Sequence, residues 1–321
     1  MELKAMTLLE AFLEIFLGIG LVVFSGILIE ELVDWLSWKI NRSSASIAMI
    51  LAPIFTSAPE MAIFSLALLR GEKNVAWGTI VAQPFMASTI IYPTVVAVAI
   101  AAYYLRRRTT RTIRVHRFVA VPLIAFTIPL IPILFLHPET HGIYGRIYGI
   151  GLIAIYFIYS YFMMRGKTSL KEEPLLKLRM PLLQIVTSVF VLYFGGEMMI
   201  GGIVQLGKIV QLSETALSVL IVPLATVVPE SIVGLLFIIK NRDDEGISAI
   251  VGEKALYGTF YPGLAMALGA YTLDRASTAA IEIALIVSPI ESVAIWFGYF
   301  GVTAPLGILG YIWYLLRILM I

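Results

Sequence analysis

Apolar runs too long for a water-soluble core dominate this chain. A helix rises 1.5 Å per residue, so crossing a hydrocarbon layer about 30 Å thick takes about 20 mostly apolar residues. Ten stretches approach or exceed that length: 8–32, 44–69, 76–105, 118–136, 142–164, 181–206, 215–239, 247–271, 278–297 and 302–320. Charged residues make up 14% of the chain and hydrophobic ones 60%, against about 25% and 45–50% in an ordinary soluble domain. Sustained polar–apolar alternation is missing from the runs, and an open sheet would leave backbone groups unpaired in lipid. The fold class expected is therefore an all-α membrane protein with ten transmembrane helices. Residues 1–4 lack the basic region and cleavage site of a signal peptide, so the first run is expected to stay as a span. Cysteine is absent, which removes disulfides and thiolate metal sites.

If every run crosses once, the loops divide unequally. One side holds 15 of the 23 basic residues, including Arg42, the cluster from Arg106 to Arg117, Arg165, Lys240 and Arg242; the other holds 7. Basic loops stay cytoplasmic. Both termini are thus expected outside, with loops 106–117 and 165–179 in the cytoplasm. The 106–117 cluster reads as a topology anchor that also attracts anionic lipid.

A shift of 170 residues lays the chain on itself. Pro53-Ile54-Phe55-Thr56-Ser57-Ala58-Pro59-Glu60 falls on Pro223-Leu224-Ala225-Thr226-Val227-Val228-Pro229-Glu230, so both read P-x-x-T-x-x-P-E. In the same register Phe24 meets Phe194, Gly26 meets Gly196, Ser43 meets Ser213, and Thr89 meets Thr259. Each copy holds five spans, and an odd number turns the second copy over in the membrane. Inverted repeats are the plan of many secondary transporters, whose sites lie near the midplane at broken helices. The expected division is a first five-helix repeat over 1–165, a cytoplasmic linker over 166–180 and a second repeat over 181–321.

The repeated motif has a chemistry. Proline lacks an N–H and clashes with the carbonyl four residues back. Pro59 thereby frees the Phe55 carbonyl, and Pro229 frees that of Ala225. Thr56 and Thr226 add hydroxyls; Glu60 and Glu230 add carboxylates. Carbonyl, hydroxyl and carboxylate oxygens are the ligands hard cations prefer. An intramembrane carboxylate must pair, protonate or bind a cation. In the third span of each half, Gln83 meets Glu253, Pro84 meets Lys254 and Ala87 meets Tyr257. Glu253 is a third candidate carboxylate. Lys254 could neutralise part of a Glu60–Glu230–Glu253 cluster or snorkel to a vestibule. Tyr257 reads as packing before ligand, with charge tuning as the alternative. Glu30, Glu31, Asp34 and Glu197 read as interfacial; Glu282 and Glu291 have no repeat support.

The motif resembles the α-repeats of the Ca²⁺/cation antiporter superfamily, which includes the sodium/calcium exchangers. That family shows G-T-S-x-P-E in one helix and G-S-N-x-x-N in the next. The first appears here as Phe55-Thr56-Ser57-Ala58-Pro59-Glu60 and Ala225-Thr226-Val227-Val228-Pro229-Glu230; the second is replaced by Ala82-Gln83-Pro84-Phe85-Met86-Ala87 and Gly252-Glu253-Lys254-Ala255-Leu256-Tyr257. The resemblance implies two interlocked five-helix halves with a cation site formed by Glu60, Glu230, Thr56, Thr226, Glu253, Gln83 and Ser57. Within that set Glu60, Glu230 and Glu253 are the metal ligands. It implies secondary active antiport, with Ca²⁺ exchanged for Na⁺ or H⁺ by alternating access. Two alternatives stay open: a proton-coupled exchanger of another cation, and a non-transporting scaffold or sensor that keeps the fold. The partners expected are inorganic cations and membrane lipid, without nucleic acid, and no cofactor beyond the transported ions. No enzyme is expected, since the chain lacks G-x-S-x-G, H-E-x-x-H and any nucleophile–base pattern.

Overall fold

The computed structural model of the chain describes residues 8–71, 73–165, 174, 176, 179–209 and 222–319. All regular structure among them is helical. In chain order the helices are α1 (Leu8–Ile40), α2 (Ser44–Thr56), α3 (Ala58–Leu69), α4 (Lys73–Met86), α5 (Tyr92–Tyr104), α6 (Ala120–Ala125), α7 (Leu130–Ile133), α8 (Pro138–Met163), α9 (Pro181–Ile209), α10 (Val222–Ile239), α11 (Asp243–Ala255), α12 (Tyr261–Ala267), α13 (Arg275–Trp296) and α14 (Ala304–Leu319). Among the described residues, five helical segments are long and apolar enough to cross a membrane: Leu8–Ile40, Ala76–Tyr104, His141–Met163, Pro181–Ile209 and Arg275–Trp296. Their outward faces carry large apolar side chains, such as Phe16, Ile150, Phe157, Phe190 and Phe194, each more than half exposed. A surface of that kind suits lipid rather than water.

Small residues set the helix contacts. α1 lies along α9, where a Cβ on Gly18 would stand 2.7 Å from the Gly195 carbonyl oxygen and one on Gly202 would stand 2.7 Å from that of Ala11. Lipid gives helices no hydrophobic reason to associate, so close backbone approach and interhelical hydrogen bonds replace it. Both occur here: Ser25 donates to the Ser188 carbonyl at 2.7 Å, and Gln184 donates to that of Leu28 at 2.8 Å.

Proline decides where helices stop or widen. The expected fourth span, 118–136, is two short pieces, α6 and α7, because Pro122, Pro129 and Pro132 fall within it. The expected second span breaks at Ser57, whose φ −83°, ψ 4° separates α2 from α3 and puts Pro59 in the first turn of the new helix. The seventh instead runs through Pro229 as one helix. Each third span contains one wide turn: the Tyr92 N–H donates to the Ala87 carbonyl and the Tyr261 N–H to that of Leu256, five residues back rather than four. A proline follows each of these tyrosines, and its ring displaces the carbonyl it would otherwise overlap.

α1 overruns its expected end at residue 32, because the acidic groups there are paired. Lys240 Nζ contacts both Glu30 carboxylate oxygens at 2.6 and 2.7 Å, and Arg242 makes two bonds of 2.6 Å to Asp34. Loops assigned by charge to one side touch in pairs. Arg42 donates to the Arg165 carbonyl at 3.3 Å, and Thr109 donates to Asn241 at 2.9 Å. Within the basic cluster Arg108 is no lipid-facing anchor. It is 3% exposed, holds Asp243 through two bonds of 2.6 and 2.7 Å, and donates to the Ile238 carbonyl at 2.5 Å. It ties the loop after α5 to the start of α11.

Candidate functional site

The α2–α3 break, α10, α11 and the wide turn after α11 surround one buried polar cluster. Thr56 ends α2 and is 1% exposed. Its hydroxyl donates to the Ala52 carbonyl at 2.9 Å and reaches Glu253 Oε1 at 3.4 Å. Ser57, also 1% exposed, shares a 2.6 Å hydrogen bond with the Tyr261 hydroxyl. Glu60 lies in the first turn of α3, where the helix dipole and free N–H groups favour negative charge. Its carboxyl group and that of Glu230 face each other within hydrogen-bonding range, and Glu253 is within electrostatic reach of both. Tyr257 is 2% exposed, with its ring edge-on to Tyr261 at 4.9 Å between centroids. It also lies within electrostatic reach of all three glutamates.

The arrangement leaves oxygens unmatched. Glu60 Oε2, Glu230 Oε1 and the Tyr257 hydroxyl are buried without a hydrogen-bond partner. A buried polar atom without a partner costs about 1–3 kcal/mol, and more if charged. Two facing carboxylates also repel, so a proton or a cation must lie between them.

Several expected ligands meet here. Thr56, Glu60, Glu230 and Glu253 come together, with Ser57 one residue away on the break. Gln83 is buried on α4 at 8% exposure. The backbones of Ala225 and Thr226 lie within α10, but their side chains fall outside the described residues. Among the described residues no three carboxylates or imidazoles could hold a metal ion on their own. Glu253 receives the Thr56 hydroxyl on one carboxylate oxygen at 3.4 Å.

Lys254 departs from expectation. It does not turn to the three glutamates. Its Nζ donates to Ser88 and Ser288 at 2.5 Å each, and its electrostatic partner is Glu291. Adjacent helical side chains diverge by about 100°; with Glu253 turned to Thr56, Lys254 faces a different side of α11. Sequence reasoning missed Ser88, Ser288 and Tyr261 and left Glu291 without a role. The available signal was an acidic residue within an apolar run, in Ser288-Pro289-Ile290-Glu291.

The model of the family described as "Sodium/calcium exchanger protein" matches residues 10–165 and 180–321. The chain belongs to that family. Its members are multi-pass membrane proteins that exchange inorganic cations. The fold agrees with solved structures of the sodium/calcium exchanger of Methanococcus jannaschii. One has a TM-score of 0.69 at 14% identity, covering 97% of this chain and 98% of that one. Another, of crystals soaked without Na⁺ and Ca²⁺, has a TM-score of 0.71 at 15% identity, covering 98% and 99%. A third, soaked in Na⁺ without Ca²⁺, has a TM-score of 0.68 at 14% identity, covering 98% and 99%. No curated protein sequence matches the chain.

Proposed function

We propose that the chain exchanges Ca²⁺ for Na⁺ or H⁺ across a membrane by alternating access, with Glu60 and Glu230 as the shared cation ligands. The observation that carries this reading is the buried pair itself, with an unmatched oxygen on each carboxyl group and a third on Tyr257. A divalent cation neutralises two carboxylates and satisfies those oxygens together, and Ca²⁺ accepts 6–8 oxygen ligands in flexible geometry. Thr56, Thr226, Gln83, Ser57 and Glu253 would contribute further oxygens, as would the carbonyls of Phe55 and Ala225. The architecture we propose is ten crossings in two inverted repeats, 1–165 and 181–321, joined by a cytoplasmic linker, with both termini outside. No resident cofactor is part of the proposal.

A proton as counter-ion is favoured by one feature: Glu253 stands where the family has a serine, and a third carboxylate can carry a proton. The reading is tested by equilibrium Ca²⁺ binding to the purified protein, with Glu60→Gln and Glu230→Gln alongside. Each substitution should abolish saturable binding while leaving a cooperative melting transition. Undiminished binding in both variants would refute the assignment.

A further inference from the structure

The wide turn before Tyr92 and α13 hold a second buried polar cluster, on a different face of α11 from the paired glutamates. Ser88 and Ser288 are both 0% exposed and 2.8 Å apart, and Lys254 Nζ bonds to each at 2.5 Å. Glu291, 2% exposed, interacts with Ser88 and Lys254. Its Oε1 has no hydrogen-bond partner. A cavity of about 20 Å³, lined by Ala87, Tyr92, Val251, Lys254, Glu291 and Phe300, lies against the pair. Across Glu291 sits the Tyr92 hydroxyl, held by the Gly301 N–H at 2.8 Å and Thr303 at 3.1 Å.

Two hydroxyls contact one positive centre, and the Glu291 carboxylate beyond them supplies the balancing charge, so the oxygens suit a monovalent cation and an ammonium holds the place. We propose that Ser88, Ser288 and Glu291 form a monovalent-cation subsite that the Lys254 ammonium fills as a tethered ion. Charge fixes the valence: one lysine balances one glutamate, and a divalent ion in its place would leave uncompensated charge in a dry interior. The cavity adds room, since about 10–15 Å³ already admits a water. The tethered charge cannot leave, so this position carries no cargo, and any sodium the protein uses binds elsewhere. The inference stands whether or not the Glu60–Glu230 pair carries calcium.

The test removes the tether in a background where that pair is disabled. Glu60→Gln, Glu60→Gln/Lys254→Ala and Glu60→Gln/Lys254→Met are melted in choline chloride, then with NaCl or KCl replacing the choline at constant ionic strength. Both Lys254 variants should melt lower in choline, because Glu291 has lost its partner. Na⁺ or K⁺ should restore them, raising the melting temperature by several degrees between about 1 and 100 mM. Glu60→Gln alone should not respond, and adding Glu291→Gln to the Lys254→Ala protein should abolish the response. Whichever ion restores stability at lower concentration is the one the subsite fits. Lys254 variants that stay unstable at every salt concentration overturn the proposal, as does a response that survives Glu291→Gln.

Discussion

Gly252 precedes Glu253 on α11, where that helix presses against α2. A Cβ built on Gly252 would lie 1.8 Å from the Met49 carbonyl oxygen, 2.6 Å from its carbon and 2.9 Å from its Cα. These are backbone atoms, so no rotamer change relieves the clash. Ordinary contact begins at 3.4 Å, so α2 and α11 must separate by about 1.6 Å. Overpacking of this kind costs about 1–3 kcal/mol, and a backbone clash belongs at the upper end, so about 3 kcal/mol is expected for Gly252→Ala. The same helices carry Thr56 and Glu253, whose oxygens are only 3.4 Å apart. Opening the interface breaks that contact, and a 1 Å misplacement typically costs about 100-fold in a positioned site. Gly78→Ala is the control, because nothing lies within 4 Å of its Cβ; it should be neutral or stabilising by up to about 1 kcal/mol. Melting in detergent and calcium flux in vesicles read both effects. Wild-type melting and flux in Gly252→Ala would refute the packing account.

Arg108→Met leaves Asp243 without its partner at a site where the arginine side chain is 0% and the aspartate 10% exposed. It should cost about 3–5 kcal/mol, recovered in part by adding Asp243→Leu and measured by denaturant or thermal melting. Arg242→Met, whose contact with Asp34 is 26% and 22% exposed, should cost less, about 1 kcal/mol. Tyr261→Phe removes the 2.6 Å bond to Ser57 and should lower stability by about 1 kcal/mol. Tyr257→Phe removes a hydroxyl without a partner, so melting should be unchanged while Ca²⁺ affinity falls in a binding titration.

The paired threonines and glutamates stand out in the sequence because charge is scarce in apolar runs and the motif repeats in register; of the four, Thr56, Glu60 and Glu230 meet in one buried cluster. The register itself has a structural counterpart. Thr89 and Thr259, matched by the same shift, each donate to the carbonyl four residues back, at 2.8 and 2.6 Å. The break at one motif proline and not the other was not legible. Pro59 and Pro229 occupy equal positions, yet only the first interrupts its helix. The difference lies in a neighbour: Ser57 pins the non-helical residue to Tyr261, whereas its counterpart Val227 has no hydroxyl to offer. The direction of Lys254 was hidden for a similar reason. Its partners Ser88 and Ser288 are 166 and 34 residues away, and only packing brings them to one side of α11. The overrun of α1 likewise depends on Lys240 and Arg242, which sit more than 200 residues along the chain.

The most direct test of the Glu60–Glu230 site is calcium uptake into proteoliposomes. It is driven first by an outward sodium gradient and then by a pH gradient alone, with Glu60→Gln as the control. The account predicts uptake that Glu60→Gln abolishes, with the effective gradient naming the counter-ion. No uptake under either gradient from folded protein, or equal uptake by Glu60→Gln, would contradict it.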